Sequence, residues 1–176
     1  MKLQLSRIAS PIGTILLVSD GEALRALDFH DYEPRMHRLL KQQYGPYVLT
    51  PATDAGESGR GIQAYFEGDM TALDRLPVQT GGTAFQRRVW AALRLIPPGT
   101  TTTYGSIAAR IGNAKASRAV GFANGANPVA IVVPCHRVIG ANASLTGYGG
   151  GLGRKEWLIA HERRHASSAH RNQAIA

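Results

Sequence analysis

The stretch TTTYGSIAARIGNAKASRAVGFANGANP, Thr101 to Pro128, decides how the second half of this chain folds. Threonines able to cap a helix precede Tyr104, and Gly112 stops the helix that follows. The spacing predicts helices over 104–111 and 115–124, joined by a short turn containing Gly112. That is the size and punctuation of a helix-turn-helix. The second helix carries Lys115, Ser117, Arg118 and Asn124, donors suited to a phosphate or a base. Its other positions are small, among them Ala116, Ala119, Gly121 and Ala123, so it can approach another surface closely, including the floor of a DNA groove. The alternative is an ordinary corner of two helices packed inside the domain.

Charge favours the first reading. The net formal charge is +8, unevenly shared. Residues 1–81 carry 8 Lys/Arg against 10 Asp/Glu, a net of −2, while residues 82–176 carry 12 against 2, a net of +10. The asymmetry predicts two units, 1–78 and 82–164, with the second facing a polyanion. LPVQTGGT links them. At 176 residues and 44% apolar composition the chain can bury a real core. A single cysteine excludes an internal disulfide framework, argues against a structural zinc site and suits a reducing compartment. No stretch approaches about 18 uninterrupted apolar residues, and the N-terminus has no signal-like apolar segment. A soluble cytoplasmic protein without membrane, metal or cofactor is expected.

Before the link, KLQLSRIA, TILLVS and ALRALDF read as strands separated by the turns SPIG and DGE, an antiparallel meander. EPRMHRLLKQQY reads as a helix with Met36, Leu39 and Leu40 on one face. TPATDAGESG reads as a loop, and RGIQAYFEG as a short helix ended by Gly68. After the link, TAFQRRVWAALRLI is a helix capped by Thr83 that keeps Phe85, Val89, Trp90, Leu93 and Ile96 on one side and stops at PPG. RKEWLIAHER is the last helix, and residues 165–176 read as a flexible tail. The whole is α+β: an antiparallel sheet with helices, then a mostly helical domain.

The only cysteine, Cys135, stands in VVPCHRVIG between Pro134 and His136. Free cysteine is usually buried packing. Yet a thiol becomes a reactive thiolate only beside a base or a cation, and His136 is adjacent. Neighbouring side chains diverge in a strand, so contact needs a turn or a bridging water. Glu162 shares a helix face with Leu158 and Ile159, where a carboxylate is costly unless paired. It either orients His136, as the third member of a triad does, or forms a surface ion pair with Arg163 or Arg164.

IVVPCHRVIG, preceded by ARIGNAKASRAVGFANGANP and followed by LTGYGGGLGRKEWLIAHE, resembles the O6-alkylguanine-DNA alkyltransferases, most of all the bacterial Ogt type. The likeness is strong over 82–163 and weaker over 1–80. It implies a ribonuclease H-like first domain, a winged-helix-like second one, and duplex DNA containing O6-alkylguanine as partner, bound by a monomer. It further implies that the alkyl group moves once, irreversibly, from a flipped-out base to Cys135, with O4-alkylthymine open to the same chemistry. His136 is then the base, acting through water, and Glu162 its orienter. Asn127 braces the turn beside Pro128. Tyr104 donates to the guanine N3 edge, Arg118 enters the base stack, Tyr148 walls the pocket and Val138 floors it. Gly149, where Ser is common, offers a backbone N–H. Gly150, Lys155, Lys115 and Ser117 complete the substrate and DNA contacts. TGYGGGLG reads as a mobile pocket loop. Rival readings are a transcription regulator using the helix-turn-helix alone, a cysteine hydrolase, and a relative that binds alkylated DNA without repairing it.

Overall fold

The computed structural model describes the backbone of residues 1–175 and the side chains of 1–166. Strands β1 (Lys2–Ile8), β2 (Ile15–Ser19) and β3 (Leu24–Phe29) form the expected meander. Helix α1 (Glu33–Tyr44) follows, with Pro34 in its first turn and Met36, Leu39 and Leu40 buried. A fourth strand, β4 (Val48–Pro51), then pairs with β1 in parallel, giving the order β3-β2-β1-β4. The sheet is therefore mixed rather than antiparallel. Thr50 and Pro51, expected in a loop, form its edge, a position that tolerates a proline because no ladder donor is needed there.

Alternation along β2 explains the layering. Leu16 and Val18 point to α1, packing with Leu3, Ala26, Met36 and Leu40. Ile15 and Leu17 point the other way, into a core shared with Leu27, Phe29, Ile62, Trp90, Val129 and Leu158. That core joins the two halves of the chain. Helix α2 (Gly56–Phe66) belongs to it and begins within the expected loop, at Gly56. Gly59, one turn into it, leaves no room for a side chain: a Cβ there would meet the Ala55 side chain at 2.4 Å.

The second half has the expected helices with shifted ends. Helix α3 (Ala84–Leu93) carries a full capping box between Thr83 and Gln86, a device worth about 1 kcal/mol. Helices α4 (Tyr104–Arg110) and α5 (Ser117–Gly125) pack on each other and on α3. Lys115 lies in the turn before α5 rather than on it, and Asn124 is buried rather than presented to a ligand. A single turn of 3-10 helix (Cys135–Arg137) leads into β6 (Val138–Ile139), which pairs with β5 (Thr102–Thr103). Helix α6 runs from Leu152 to Ile175, through the segment expected to be a flexible tail. No glycine or proline follows Gly153, so nothing in the sequence stops the helix. Ala176 lies outside the described residues. Among these, no helix is long and apolar enough to cross a membrane.

Candidate active site

Strand β3 positions the site. Leu27 N–H donates to Pro128 O (2.9 Å) and Ala130 N–H to Leu27 O (3.0 Å), so the segment after α5 docks on the open edge of the sheet. From there Val129 to Val133 runs buried through the core. Ile131 takes φ 69°, a left-handed conformation that a β-branched residue adopts only when its surroundings impose it. The chain thereby turns just ahead of the cysteine.

Asn127 braces that turn. Its Nδ2 donates to Val133 O (2.8 Å) and to Cys135 Sγ (3.0 Å), and its Oδ1 accepts from Val129 N–H (3.0 Å). Asn124 adds a bond to Cys135 O (3.4 Å). Burial pushes the Cys135 thiol up, against the Asn127 donor and the more distant charges of Arg35 and Lys155. At neutral pH it is a thiol that needs a base.

His136 is fully buried beside it. Its Nε2 donates to Glu162 Oε1 (2.7 Å); a carboxylate can only accept, so Nε2 carries a proton, and in the neutral ring Nδ1 holds the lone pair. Nδ1 is buried and has no protein partner among the described residues. Glu162 was expected to pair with His136 or with Arg163 or Arg164. It pairs with His136, and with Arg137, which grips it twice, Nε to Oε2 and Nη2 to Oε1, both at 2.9 Å. Tyr65 OH (2.8 Å, to Oε1) and Gly99 N–H (3.3 Å, to Oε2) complete its shell. Burial pushes the Glu162 carboxyl up, but His136 and Arg137 together outweigh it and hold it well below the usual carboxylate range. It stays charged.

The residues expected to form the pocket lie in β6, at the start of α4 and in the loop 140–151. Val138 is fully buried at the start of β6. Tyr104 opens α4, and its hydroxyl bonds to Thr146 Oγ1 (2.8 Å) in the loop 140–151. Tyr148 is half-buried, with its hydroxyl buried and without a protein partner among the described residues. Gly149 and Gly150 do not form a loose loop. A Cβ at Gly149 would meet the Arg35 guanidinium at 2.6 Å, and one at Gly150 would meet the Phe29 ring at 2.6 Å. The glycines permit close approach of the loop to the first half of the chain. Lys155, expected among the substrate and DNA contacts, is fully buried, and its Nζ donates to Val138 O (2.6 Å) and Thr146 O (2.9 Å). It ties β6 to the loop 140–151 and presents no charge to solvent. Arg118 and Lys115 are exposed, and Ser117, the first residue of α5, is half-buried.

Three residues of the site were not singled out from sequence. Arg137 follows His136 directly, and a charged residue in an otherwise apolar run was a usable signal. Tyr65 and Arg35 belong to helices of the first half and gave none. Arg35 donates to Asp28 Oδ2 (2.7 Å) and Gly125 O (2.7 Å), bridging α1 to the end of α5. Among the described residues no group of three or more His, Cys, Asp or Glu is placed to hold a metal ion.

The arrangement resembles known proteins throughout. The family model described as 6-O-methylguanine DNA methyltransferase, ribonuclease-like domain, matches residues 5–80. The DNA binding domain of the same family matches residues 84–164. The methylated-DNA–protein-cysteine methyltransferase of Salmonella typhimurium is 48% identical over 165 residues, 92% of this chain and 96% of that protein. The crystal structure of Mycobacterium tuberculosis O6-methylguanine methyltransferase matches with a TM-score of 0.80 at 43% identity, over 93% of this chain and 94% of that one. A structure of M. tuberculosis OGT in complex with DNA matches with a TM-score of 0.79 at 41% identity, over 94% of each chain.

Proposed function

The chain belongs to the 6-O-methylguanine DNA methyltransferase family, and from that premise we propose that it repairs DNA by moving an alkyl group from O6 of guanine onto Cys135, once per molecule. The observation that carries this reading is the buried sequence Cys135, His136, Glu162: a protonated thiol with an Asn127 donor on its sulfur, beside a histidine whose second nitrogen is fixed by a charged carboxylate.

The target oxygen lies inside a duplex, so the base leaves the stack first, at a cost of a few kcal/mol. Arg118, exposed on the small-residue helix α5, fills the gap. The base enters between Tyr148 and Val138. His136 Nδ1 takes the Cys135 proton through a water, and Glu162 holds the imidazolium that results. Asn127 Nδ2 remains on the sulfur as charge develops. The thiolate attacks the alkyl carbon: a C–S bond forms, the C–O bond breaks, and the electron pair passes to the guanine. A proton delivered by Tyr104 at N3 lets the base leave neutral. The thioether has no carbonyl for water to attack, and the chain has no second thiol to resolve it. Binding rests on phosphates through the basic second half, as a monomer in the cytoplasm, because damage has no sequence context to read.

The test is mass spectrometry after mixing the protein with excess O6-methylguanine duplex. One methyl group should appear, on the peptide containing Cys135, and the reaction should then stop. Cys135→Ala should abolish transfer and keep DNA binding. Product accumulating beyond one equivalent would replace this reading with a hydrolytic enzyme.

A further inference from the structure

We propose that Tyr65, a residue of α2 in the first half of the chain, is a positioning residue that sets the strength of the Glu162–His136 bond and so the pH at which His136 accepts the cysteine proton. The proposal rests on the alkyl-transfer reading and goes further, because it brings a hydroxyl from outside the DNA-binding half into the relay.

The geometry is specific. Tyr65 is fully buried. Its hydroxyl donates to Oε1 of Glu162 (2.8 Å), the same oxygen that accepts His136 Nε2 (2.7 Å). The ring cannot swing away: it stands edge-on to Phe66 and to His161, each with centroids 5.3 Å apart. The backbone is fixed as well, because His161 Nε2 donates to Tyr65 O (2.9 Å). Burial and the neighbouring Glu162 charge push the phenol well above its usual range, so it serves only as a donor. The other titratable or charged groups facing the pair are Arg137 from the 3-10 turn, Tyr148 from the loop 140–151 and His161 from α6. Arg137 already neutralises the carboxylate, so a further donor is not needed to bury its charge. What the Tyr65 hydroxyl does is share Oε1. Three donors, Tyr65 OH, His136 Nε2 and Arg137 Nη2, divide the charge of one oxygen, so the Tyr65 hydroxyl weakens the hold of Glu162 on the imidazolium.

The test uses the full chain and a free O6-alkylguanine base as substrate, which separates chemistry from DNA binding. In Tyr65→Phe the ring stays and only the hydroxyl goes. The acid limb of the transfer rate against pH should move up by about half to one unit, and the rate at pH 6 should fall roughly 3- to 10-fold. In a Glu162→Gln background the same substitution should change the rate less than about twofold, because the two act on one path. A lower rate with an unmoved acid limb, or losses that multiply in the double variant, would overturn the proposal and leave Tyr65 a strut. Should Tyr65→Phe fail to fold, 3-fluorotyrosine at position 65 keeps ring and hydroxyl but donates more strongly. Its acid limb should move down, and an unchanged limb would also overturn the proposal. If the unaltered protein transferred nothing, both this and the parent reading would fall, whereas normal transfer with identical profiles in all forms would remove only the role of Tyr65.

Discussion

Two regions of the second half carry polar residues in opposite circumstances. The turn and helix at Lys115 and Arg118 present theirs to solvent, with the half-buried Ser117 between them, on a scaffold made mostly of alanine and glycine. A few residues on, Asn127, Cys135, His136, Arg137, Lys155 and Glu162 are all buried, and each except the cysteine is held by two or more hydrogen bonds or by a single short one. The exposed set acts through charge in water, where any single residue is worth little and many add up. The buried set acts through geometry, where removing one partner leaves another uncompensated. Substitutions in the exposed region should therefore alter only reactions that involve a duplex. Substitutions in the buried region should alter chemistry on every substrate, and stability with it.

The largest effect is expected at Glu162. Glu162→Gln should slow transfer about 10²- to 10⁴-fold, equally for duplex and free base. It should also destabilise the fold, up to about 3–5 kcal/mol, because Arg137 loses its counter-charge inside the core. Chemical denaturation measures that loss, and a near-normal stability would separate the relay from the packing. The same variant reports on pH. The folded carboxyl is held below its unfolded value, so its contribution is complete above about pH 4.3 and is lost as pH falls below it. Unfolding curves between pH 7 and 3 should steepen toward acid in the unaltered protein and be flatter in Glu162→Gln.

Lys155 comes next and sharpens the contrast, since it is a cation in the buried set. Lys155→Met should destabilise by about 1–3 kcal/mol for each carbonyl left without a donor, and slow transfer to free base through a loosened pocket floor. The salt dependence of duplex binding should not change. A shallower salt slope would place the ammonium on DNA after all. Arg118→Ala should do the reverse: transfer from duplex falls by about 2 kcal/mol, roughly 30-fold, with free-base transfer and melting temperature unaltered. Equal losses on both substrates would break the division between the regions. The smallest effect is expected at Lys115, where Lys115→Ala should reduce the slope of log affinity against log salt by about 1.

The same division governed what could be read in advance. Helices α1, α3 and α4 were legible because apolar period, cap and stop agree along one segment. Arg118 lies exposed on the helix where it was expected, because a surface charge depends little on the rest of the fold. Cys135, His136 and Glu162 were found through a motif and a carboxylate on an apolar helix face. Their supports were not, because Tyr65 and Arg35 look like ordinary helix residues until the fold brings them across. Asn124 and Lys155 misled for one reason: a polar side chain on a short or basic helix suggests an outward ligand, while here backbone carbonyls inside the core claim it. The strand β4 was hidden by its own edge position, where three exposed residues, Pro51 among them, and one half-buried one carry no alternating pattern.

The docking of Pro128–Ala130 on β3 also bears on how the molecule avoids its own kind. A sheet has two open edges, and each offers unpaired amides to a second copy. On one edge, β3 spends its free groups on Pro77, Gln79, Pro128 and Ala130. On the other, β4 is four residues long and ends in Pro51, which has no amide to offer. The segment that shapes the cysteine pocket is thus also a cap on a strand edge. Any event that lifts it from β3 would disarm the site and, in the same motion, uncover a surface on which two such molecules can zip together.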